Sequence, residues 1–159
     1  MSHPETPSFL ANEQAPNRRG LDRELNCATT NEFNLEPKMA KVLLVDDHSD
    51  IRRLVRITLG KAFEVLEADN GTTALEILRR QKPELVVLDI MMPGALDGLQ
   101  VLDAIKADVN LVATRVIMVT ARGQAQDYEY GMQRGADAYF IKPFSPLQLV
   151  ASIKEILAR

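Results

Sequence analysis

The chain has 159 residues, a net charge of −3 and a single cysteine, Cys27. This length suits one ordinary domain, and a lone cysteine excludes an intramolecular disulfide, which predicts a protein of the reducing cytoplasm. No run approaches the roughly 18 apolar residues of a membrane span, no secretory signal opens the chain, and the near-neutral charge gives no electrostatic case for direct binding of nucleic acid.

Residues 1–38 differ in composition from the rest of the chain. They are rich in Asn, Pro, Glu, Thr and Arg and show no sustained helical or alternating pattern. Such a composition buries too little apolar surface to offset the entropy lost on ordering. We therefore predict a mostly disordered extension over 1–38 and one folded domain over 39–159. Because Met39 is also a natural start for that domain, an upstream start is an equally open explanation of the extension.

From Lys41 onward, strand and helix patterns alternate five times. The apolar runs that predict strands lie at 41–46, 63–66, 85–89, 115–120 and 138–141. The periodic segments that predict helices lie at about 49–60, 71–81, 98–107, 124–134 and 146–158. This alternation favours an α/β fold with a parallel sheet. The run at 85–89 is apolar until its last residue, as expected of a strand that is covered on both faces.

The first predicted helix has a clear apolar stripe. Its inward positions follow i, i+3, i+4, i+7 spacing and are Ile51, Leu54, Val55 and Thr58. Ser49 or Asp50 is predicted to cap its start, and Gly60 is predicted to end it.

Polar residues stand at the ends of four predicted strands. They are Asp46 and Asp47, Asp89, Thr120 and Lys142. Because ligands of an open parallel sheet bind outside the carboxyl ends of its strands, these side chains are predicted to meet at one edge. Such an edge suits a divalent cation and a phosphoryl group, with Asp89 as the reacting carboxylate. Mg²⁺ prefers oxygen ligands, which the three aspartates supply.

Four segments of the chain resemble the receiver domain of two-component response regulators. The segments are 42–47 (VLLVDD), 88–94 (LDIMMPG), 118–121 (MVTA) and 135–144 (GADAYFIKPF). All four occur in order and at strand ends, and the resemblance covers about residues 40–158. It implies a doubly wound, five-stranded parallel sheet flanked by five helices, flavodoxin-like, with strand order 2-1-3-4-5.

The resemblance also implies a role for each acidic residue. Asp89 is similar to the phosphoacceptor of the family. Asp46 and Asp47 resemble its acidic pair, in which Asp47 is a direct ligand of Mg²⁺ and Asp46 acts mostly through water. The third protein ligand implied is the backbone carbonyl of Met91.

Further roles follow from the same resemblance. Thr120 resembles the switch hydroxyl, Lys142 the lysine that binds the phosphoryl group, and Tyr139 the aromatic switch, with a plain core aromatic as the alternative for Tyr139. The Lys142–Pro143 bond is implied to be cis. Arg122, together with Met91, is implied to tune the access of water to the phosphoryl group.

One loop departs from the family. Between Asp89 and Gly98 this chain has one residue more than the usual pattern, and the extra residue follows Pro93. Because it lies beyond Met91, we expect the metal site to survive and the start of the third helix to shift.

The function implied is that of a single-domain response regulator. Asp89 would take a phosphoryl group from a phosphohistidine of a sensor kinase or histidine phosphotransfer protein, and the domain would signal to a downstream target protein by altered contacts. It would not be an enzyme beyond catalysing its own phosphorylation and dephosphorylation. No output module follows the last predicted helix, which favours the stand-alone type.

Three other functions compete with this interpretation. The first is an interaction module on a receiver scaffold that works without phosphorylation. The second is a haloacid dehalogenase-type phosphatase, whose nucleophile follows the first strand in an Asp-x-Asp arrangement, whereas this chain has Asp46-Asp47-His48. The third is a flavin-binding domain, which would need a phosphate loop after the first strand.

Two features of the first helix region have open interpretations. His48 is predicted to be an exposed loop histidine, with a metal or phosphorelay role as the alternative. Arg52, Arg53 and Arg56 form either a solvated face or a surface that docks the kinase.

Overall fold

The computed structural model describes residues 37–121 and 125–159, and Met39–Arg159 form one compact unit. Nearly all of the predicted extension lies outside the described residues, as does Arg122. Within the described ranges, every helix is too short or too polar to cross a membrane.

Five parallel strands alternate with five helices. The strands are β1 (Lys41–Val45), β2 (Glu64–Ala68), β3 (Leu85–Asp89), β4 (Arg115–Thr120) and β5 (Ala138–Ile141). The helices are α1 (Ser49–Leu59), α2 (Gly71–Gln81), α3 (Gly98–Ala107), α4 (Ala125–Gln133) and α5 (Pro146–Leu157). The sheet order is β2-β1-β3-β4-β5, and every pair is parallel. The predicted doubly wound fold and strand order are therefore confirmed.

The core consists of two apolar layers, one on each face of the sheet. Alternate residues of each strand point to opposite faces, so Leu43 and Val45 pack with α2 and α3, while Val42 and Leu44 pack with α1 and α5. All five residues of β3 are buried, including its final Asp89. The central strand is thus covered on both faces, as its apolar run predicts.

Two sequence predictions near the start of the sheet are wrong in detail. Strand β2 continues to Ala68, because its pairing with β1 extends over five residues as far as Val45 opposite Ala68. Helix α1 has no side-chain cap, and its N-cap residue is His48 rather than Ser49 or Asp50.

The apolar stripe of α1 is also narrower than predicted. Val55 and Leu59 are buried, but Leu54 is 50% exposed. The reason is that Leu54 lies away from the sheet, beside an open groove that it lines with Ile51, Pro143 and Phe144.

The longer loop before α3 leads into a well-capped helix. The Asp97 carboxylate accepts a hydrogen bond from the Gln100 backbone N–H at 2.8 Å, and the Gln100 side chain accepts one from the Asp97 N–H at 2.9 Å. This capping box satisfies two backbone donors at once. Within the loop, Gly94 has φ of +108°, a conformation that favours glycine. The extra residue is thus accommodated before a helix that begins at the predicted Gly98.

Candidate functional site

The ends of four strands form one polar edge of the sheet. Asp46 follows β1, Asp89 and Thr120 end β3 and β4, and Lys142 follows β5. The parallel register sets these ends side by side, with Asp89 opposite Val119 and Thr120 opposite Ile141. Asp46, Asp89 and Thr120 are only 6%, 2% and 2% exposed. Parallel pairing thus brings these residues together, as predicted.

Lys142 joins two of the carboxylates. Its Nζ lies 2.7 Å from Asp46 Oδ2 and 2.9 Å from Asp89 Oδ2, and its side chain is 14% exposed. The backbone N–H of Met91 donates to the other oxygen of Asp89, Oδ1, at 3.1 Å. The Lys142–Pro143 peptide bond that follows is cis, as the resemblance implies. The lysine is therefore held directly against the carboxylate that is predicted to react.

The burial of Asp89 dominates its electrostatics. Burial raises the pKa of Asp89 above its ordinary value, and the negative charge of Asp46 adds to the increase, although the hydrogen bond from Lys142 opposes it. Burial lowers the pKa of Lys142, but its hydrogen bonds to Asp46 and Asp89 outweigh burial and leave the pKa above its ordinary value. The lysine is therefore charged at neutral pH, and its single positive charge lies against the carboxylates of both Asp46 and Asp89.

The acidic residues fit a divalent cation. One potential ligand atom from each of Asp46, Asp47, His48 and Asp89 lies within 4.8 Å of all the others. Lys142 occupies only one oxygen of Asp46 and one of Asp89, and each carboxylate oxygen has about two lone-pair sites. The remaining oxygens can coordinate a hard cation, which would relieve the mutual repulsion of the carboxylates.

Tyr139 lies on β5 beside the site. Its hydroxyl is buried and has no hydrogen-bond partner among the described residues. Its ring packs edge-on against Tyr128 of α4, with the ring centroids 5.2 Å apart. Burial raises the pKa of Tyr139 and the charge of Asp127 raises it further, although the neighbouring Thr120 side chain opposes the increase. The ring thus connects the end of the sheet to α4 while its hydroxyl is unsatisfied.

The arginines of α1 are mostly engaged within the domain. The Arg52 Nε and an Arg56 guanidinium nitrogen lie 3.2 and 2.9 Å from the two carboxylate oxygens of Glu67 on β2. Arg52 also donates to the backbone carbonyl of Asp46. Arg53 is exposed and has no ion pair in the part of the chain that the structure describes. Two of the three arginines thus have structural partners.

The sequence interpretation missed the direction of the His48 ring. The side chain is 64% exposed, as predicted, yet its Nδ1 lies 3.1 Å from Asp46 Oδ1 and 3.1 Å from Asp47 Oδ1. The signal for this contact is local: the His48 backbone N–H donates to Asp46 Oδ1 at 2.8 Å, which is the i to i+2 bond of an Asx-turn. An aspartate two residues before a histidine at a helix start can accept the hydrogen bond of this turn, and here the turn places the His48 ring beside Asp46 and Asp47.

Comparisons with known proteins agree with this fold. Residues 42–154 match the response regulator receiver domain. The chain is 42% identical over 127 residues to a probable transcriptional regulator, ycf27, of Porphyra purpurea, covering 79% of this chain and 50% of that protein. It is 40% identical over 119 residues to the phosphate regulon transcriptional regulatory protein PhoB of Pseudomonas aeruginosa, covering 74% of this chain and 52% of that protein.

A solved structure extends the comparison to three dimensions. The chemotaxis response regulator CheY4 of Vibrio cholerae superposes with a TM-score of 0.69 at 29% identity, covering 75% of this chain and 99% of that one. The chain spans about half the length of the curated relatives it matches. By sequence and fold, the chain belongs to the family of response regulator receiver domains.

Proposed function

We propose that Asp89 accepts a phosphoryl group from a phosphohistidine of a sensor kinase or a histidine phosphotransfer protein, in a step that depends on Mg²⁺. Residues 39–159 are the receiver unit in this proposal, and its output is an altered contact with a downstream protein. The observation that carries the proposal is the buried Asp89 carboxylate, which touches Lys142 and lies among further carboxylates.

The proposed transfer is a displacement at phosphorus. An Asp89 carboxylate oxygen forms the new P–O bond while the P–N bond to the donor imidazole breaks. The imidazole nitrogen keeps the electron pair and takes up a proton. Water later displaces the carboxylate from phosphorus, which releases phosphate and restores Asp89. No other turnover is proposed for the domain.

The residues around Asp89 supply position and charge for this step. Phosphoryl transfer depends mainly on in-line placement and charge neutralisation. Asp46, Asp47 and Asp89 would hold Mg²⁺ together with the backbone carbonyl of Met91, and the ion would supply positive charge that offsets the repulsion between the carboxylates and an anionic phosphoryl group. Lys142 is charged and directed at Asp89 Oδ2, so it can move from the carboxylate to an arriving phosphoryl oxygen.

The test of this proposal is direct phosphorylation of the wild-type chain. With Mg²⁺ and acetyl phosphate, we expect a mass increase of one phosphoryl group that maps to Asp89 and disappears on incubation in water. Chelation of the metal with EDTA should prevent the increase, because uncompensated carboxylates repel an anionic donor. A wild-type protein that gains no such group from acetyl phosphate or from a cognate kinase would contradict the proposal.

We further propose that phosphorylation changes the surface of α4, β5 and α5 through Thr120 and Tyr139. The Thr120 hydroxyl would donate to a phosphoryl oxygen and move toward it, so that the Tyr139 ring repacks. Two observations support this: the Tyr139 hydroxyl has no well-formed hydrogen bond among the described residues, and the Thr120 side chain lies close enough to lower the pKa of Tyr139. A buried hydroxyl that lacks a good partner favours a second arrangement that satisfies it. The phosphoryl group then shifts the population between two states.

NMR spectra with beryllofluoride and Mg²⁺ should reveal this coupling. In the wild type we expect amide shift changes at the site and also across 125–145. In Thr120→Val the changes near Tyr139 should be largely lost, since the donor hydroxyl is replaced by a methyl group of similar size. Thr114→Val is the matched control, because Thr114 is 6% exposed and donates instead to the Pro83 carbonyl at 3.4 Å.

Two outcomes of this experiment would exclude the proposed coupling. One is a wild-type spectrum in which residues 125–145 do not respond to beryllofluoride although the site itself does. The other is a response near Tyr139 in Thr120→Val that equals the response in Thr114→Val.

A further inference from the structure

The His48 ring faces the oxygens that the proposed Mg²⁺ site would use. Lys142 binds Asp46 Oδ2, whereas His48 Nδ1 lies 3.1 Å from the opposite oxygen, Asp46 Oδ1, and 3.1 Å from Asp47 Oδ1. The Lys142 ammonium and the His48 ring thus contact different oxygens of Asp46. The His48 side chain is 64% exposed and the Asp47 side chain is 29% exposed, so an ion can approach the cluster from solvent on this side, while the Asp46 side chain is only 9% exposed.

The spacing of these atoms is that of neighbouring ligands around one metal ion. At metal–ligand distances of about 2.1 Å, adjacent ligands of an octahedral ion lie about 3.0 Å apart, and those of a tetrahedral ion about 3.4 Å apart. Both observed separations from His48 Nδ1 are 3.1 Å. One ligand atom of Asp89 also lies within 4.8 Å of the other three, so a single ion can be reached by all four residues.

A nitrogen ligand changes which ions the site prefers. Mg²⁺ takes oxygen ligands and keeps much of its water, so it gains little from an imidazole. First-row transition ions bind imidazole well, and their affinity rises from Mn²⁺ through Co²⁺ and Ni²⁺. A site built of carboxylates alone lacks the imidazole nitrogen that favours transition ions over Mg²⁺.

We propose that His48 Nδ1 is an additional ligand of the cation site, so that the site binds Co²⁺ and Zn²⁺ more tightly than Mg²⁺. The inference rests on the proposed function in one respect only, since it uses the same carboxylates. The competing explanation is that the ring only donates a hydrogen bond to Asp46 and Asp47. In that case its removal changes the binding of every divalent cation in the same direction and to a similar extent.

The test compares two histidine variants in the full-length chain. His48→Ala removes the proposed ligand and leaves the helix start unaffected, because the His48 side chain makes no cap hydrogen bond. His3→Ala is the matched control, because His3 is the other of the two histidines in the chain. Both are made in a Cys27→Ser background, since a thiolate also binds these ions.

Titration calorimetry with Co²⁺ and with Mg²⁺ provides the measurement. We expect His48→Ala to weaken Co²⁺ binding by about 10–100-fold, the range that loss of a partner at a metal site typically costs, and to change Mg²⁺ binding far less. His3→Ala should match its parent for both ions. An equal change for Co²⁺ and Mg²⁺ in His48→Ala, or unchanged Co²⁺ binding, would overturn the proposal.

A second measurement identifies the coordinating atom. Addition of Zn²⁺ should shift the nitrogen NMR resonance of His48 Nδ1 more than that of Nε2, and an unchanged Nδ1 resonance would also overturn the proposal. Phosphorylation of the wild type with Mg²⁺ separates this inference from the proposed function. If Co²⁺ binding depends on His48 but the wild type is never phosphorylated, only the proposed function is contradicted. If the wild type is phosphorylated but Co²⁺ binding does not depend on His48, only the proposed role of His48 is contradicted.

Discussion

Asp89→Asn should abolish phosphoryl transfer and leave the fold intact. The asparagine side chain has nearly the same shape as aspartate, so it fits the position, which is only 2% exposed. Its amide lacks the anionic oxygen that attacks phosphorus, and among the described residues no other carboxylate contacts both Lys142 and the Met91 N–H. We therefore expect no labile phosphoryl group by intact mass, under conditions that label the wild type fully.

The same substitution should not destabilise the metal-free domain at neutral pH. Because burial raises the pKa of Asp89 above its ordinary value of 3.8, the folded state binds the proton more tightly than the unfolded state does. The ionised carboxylate therefore lowers the free energy of unfolding, fully so above the folded-state pKa. This cost disappears as the pH falls through that pKa toward 3.8, so the variant should be at least as stable as the wild type at pH 7, and the difference should narrow in acid.

Urea unfolding between pH 4 and pH 8 measures this effect, with Asp69→Asn as the matched control. Asp69 is an exposed carboxylate just after β2, the strand beside β1. The Asp69→Asn variant should be phosphorylated as fully as the wild type, and its free energy of unfolding should change little. Labelling that persists in Asp89→Asn, or that is lost in Asp69→Asn, would show that the acceptor is misassigned. Equal binding of a downstream partner by wild type and Asp89→Asn would favour the module that works without phosphorylation.

The parallel sheet and the placement of the polar residues at one of its edges could be predicted because both follow from regular structure, whereas the strand order was implied by the resemblance to receiver domains. Strand β3 is apolar up to its final Asp89, which is typical of a central strand of a parallel sheet. Once the strands are parallel, their carboxyl ends share one edge, so Asp46, Asp89 and Lys142 are placed at the same edge of the sheet. The 2.7 and 2.9 Å contacts of Lys142 are the local result of that rule.

The features that sequence reasoning missed depend on tertiary contacts or on single turns. Leu54 fits the helical period of α1, but only the placement of the helix against the sheet decides that it lies outside the core. Arg52 and Arg56 are seen as structural residues only when β2 brings Glu67 beside them. The direction of His48 depends on one Asx-turn, which no periodic pattern records.

Gly98→Ala should be among the most damaging small substitutions in the chain. A Cβ at Gly98 would lie 2.7 Å from the Ile90 Cα and would also collide with the carbonyl oxygen of Asp89. Both obstacles are backbone atoms, so no side chain can rotate to make room. The Gly98 N–H also donates to the Ile90 carbonyl at 2.9 Å, which fixes α3 against the end of β3.

We expect Gly98→Ala to lower the free energy of unfolding by about 1–3 kcal/mol, as overpacking does, and to slow phosphorylation because the peptide that carries Asp89 must move. Gly131→Ala is the matched control: in α4 its Cβ meets only Met118 Cγ at an ordinary 3.7 Å, and alanine should favour the helix by about 0.5–1 kcal/mol. Urea unfolding should therefore give a lower free energy of unfolding for Gly98→Ala and an equal or higher one for Gly131→Ala, each relative to the wild type. The rate of phosphorylation should fall in Gly98→Ala and stay near the wild-type rate in Gly131→Ala. Equal stability of the two would mean that the end of β3 can yield to α3, and that the close contact at Gly98 does not hold Asp89 in place.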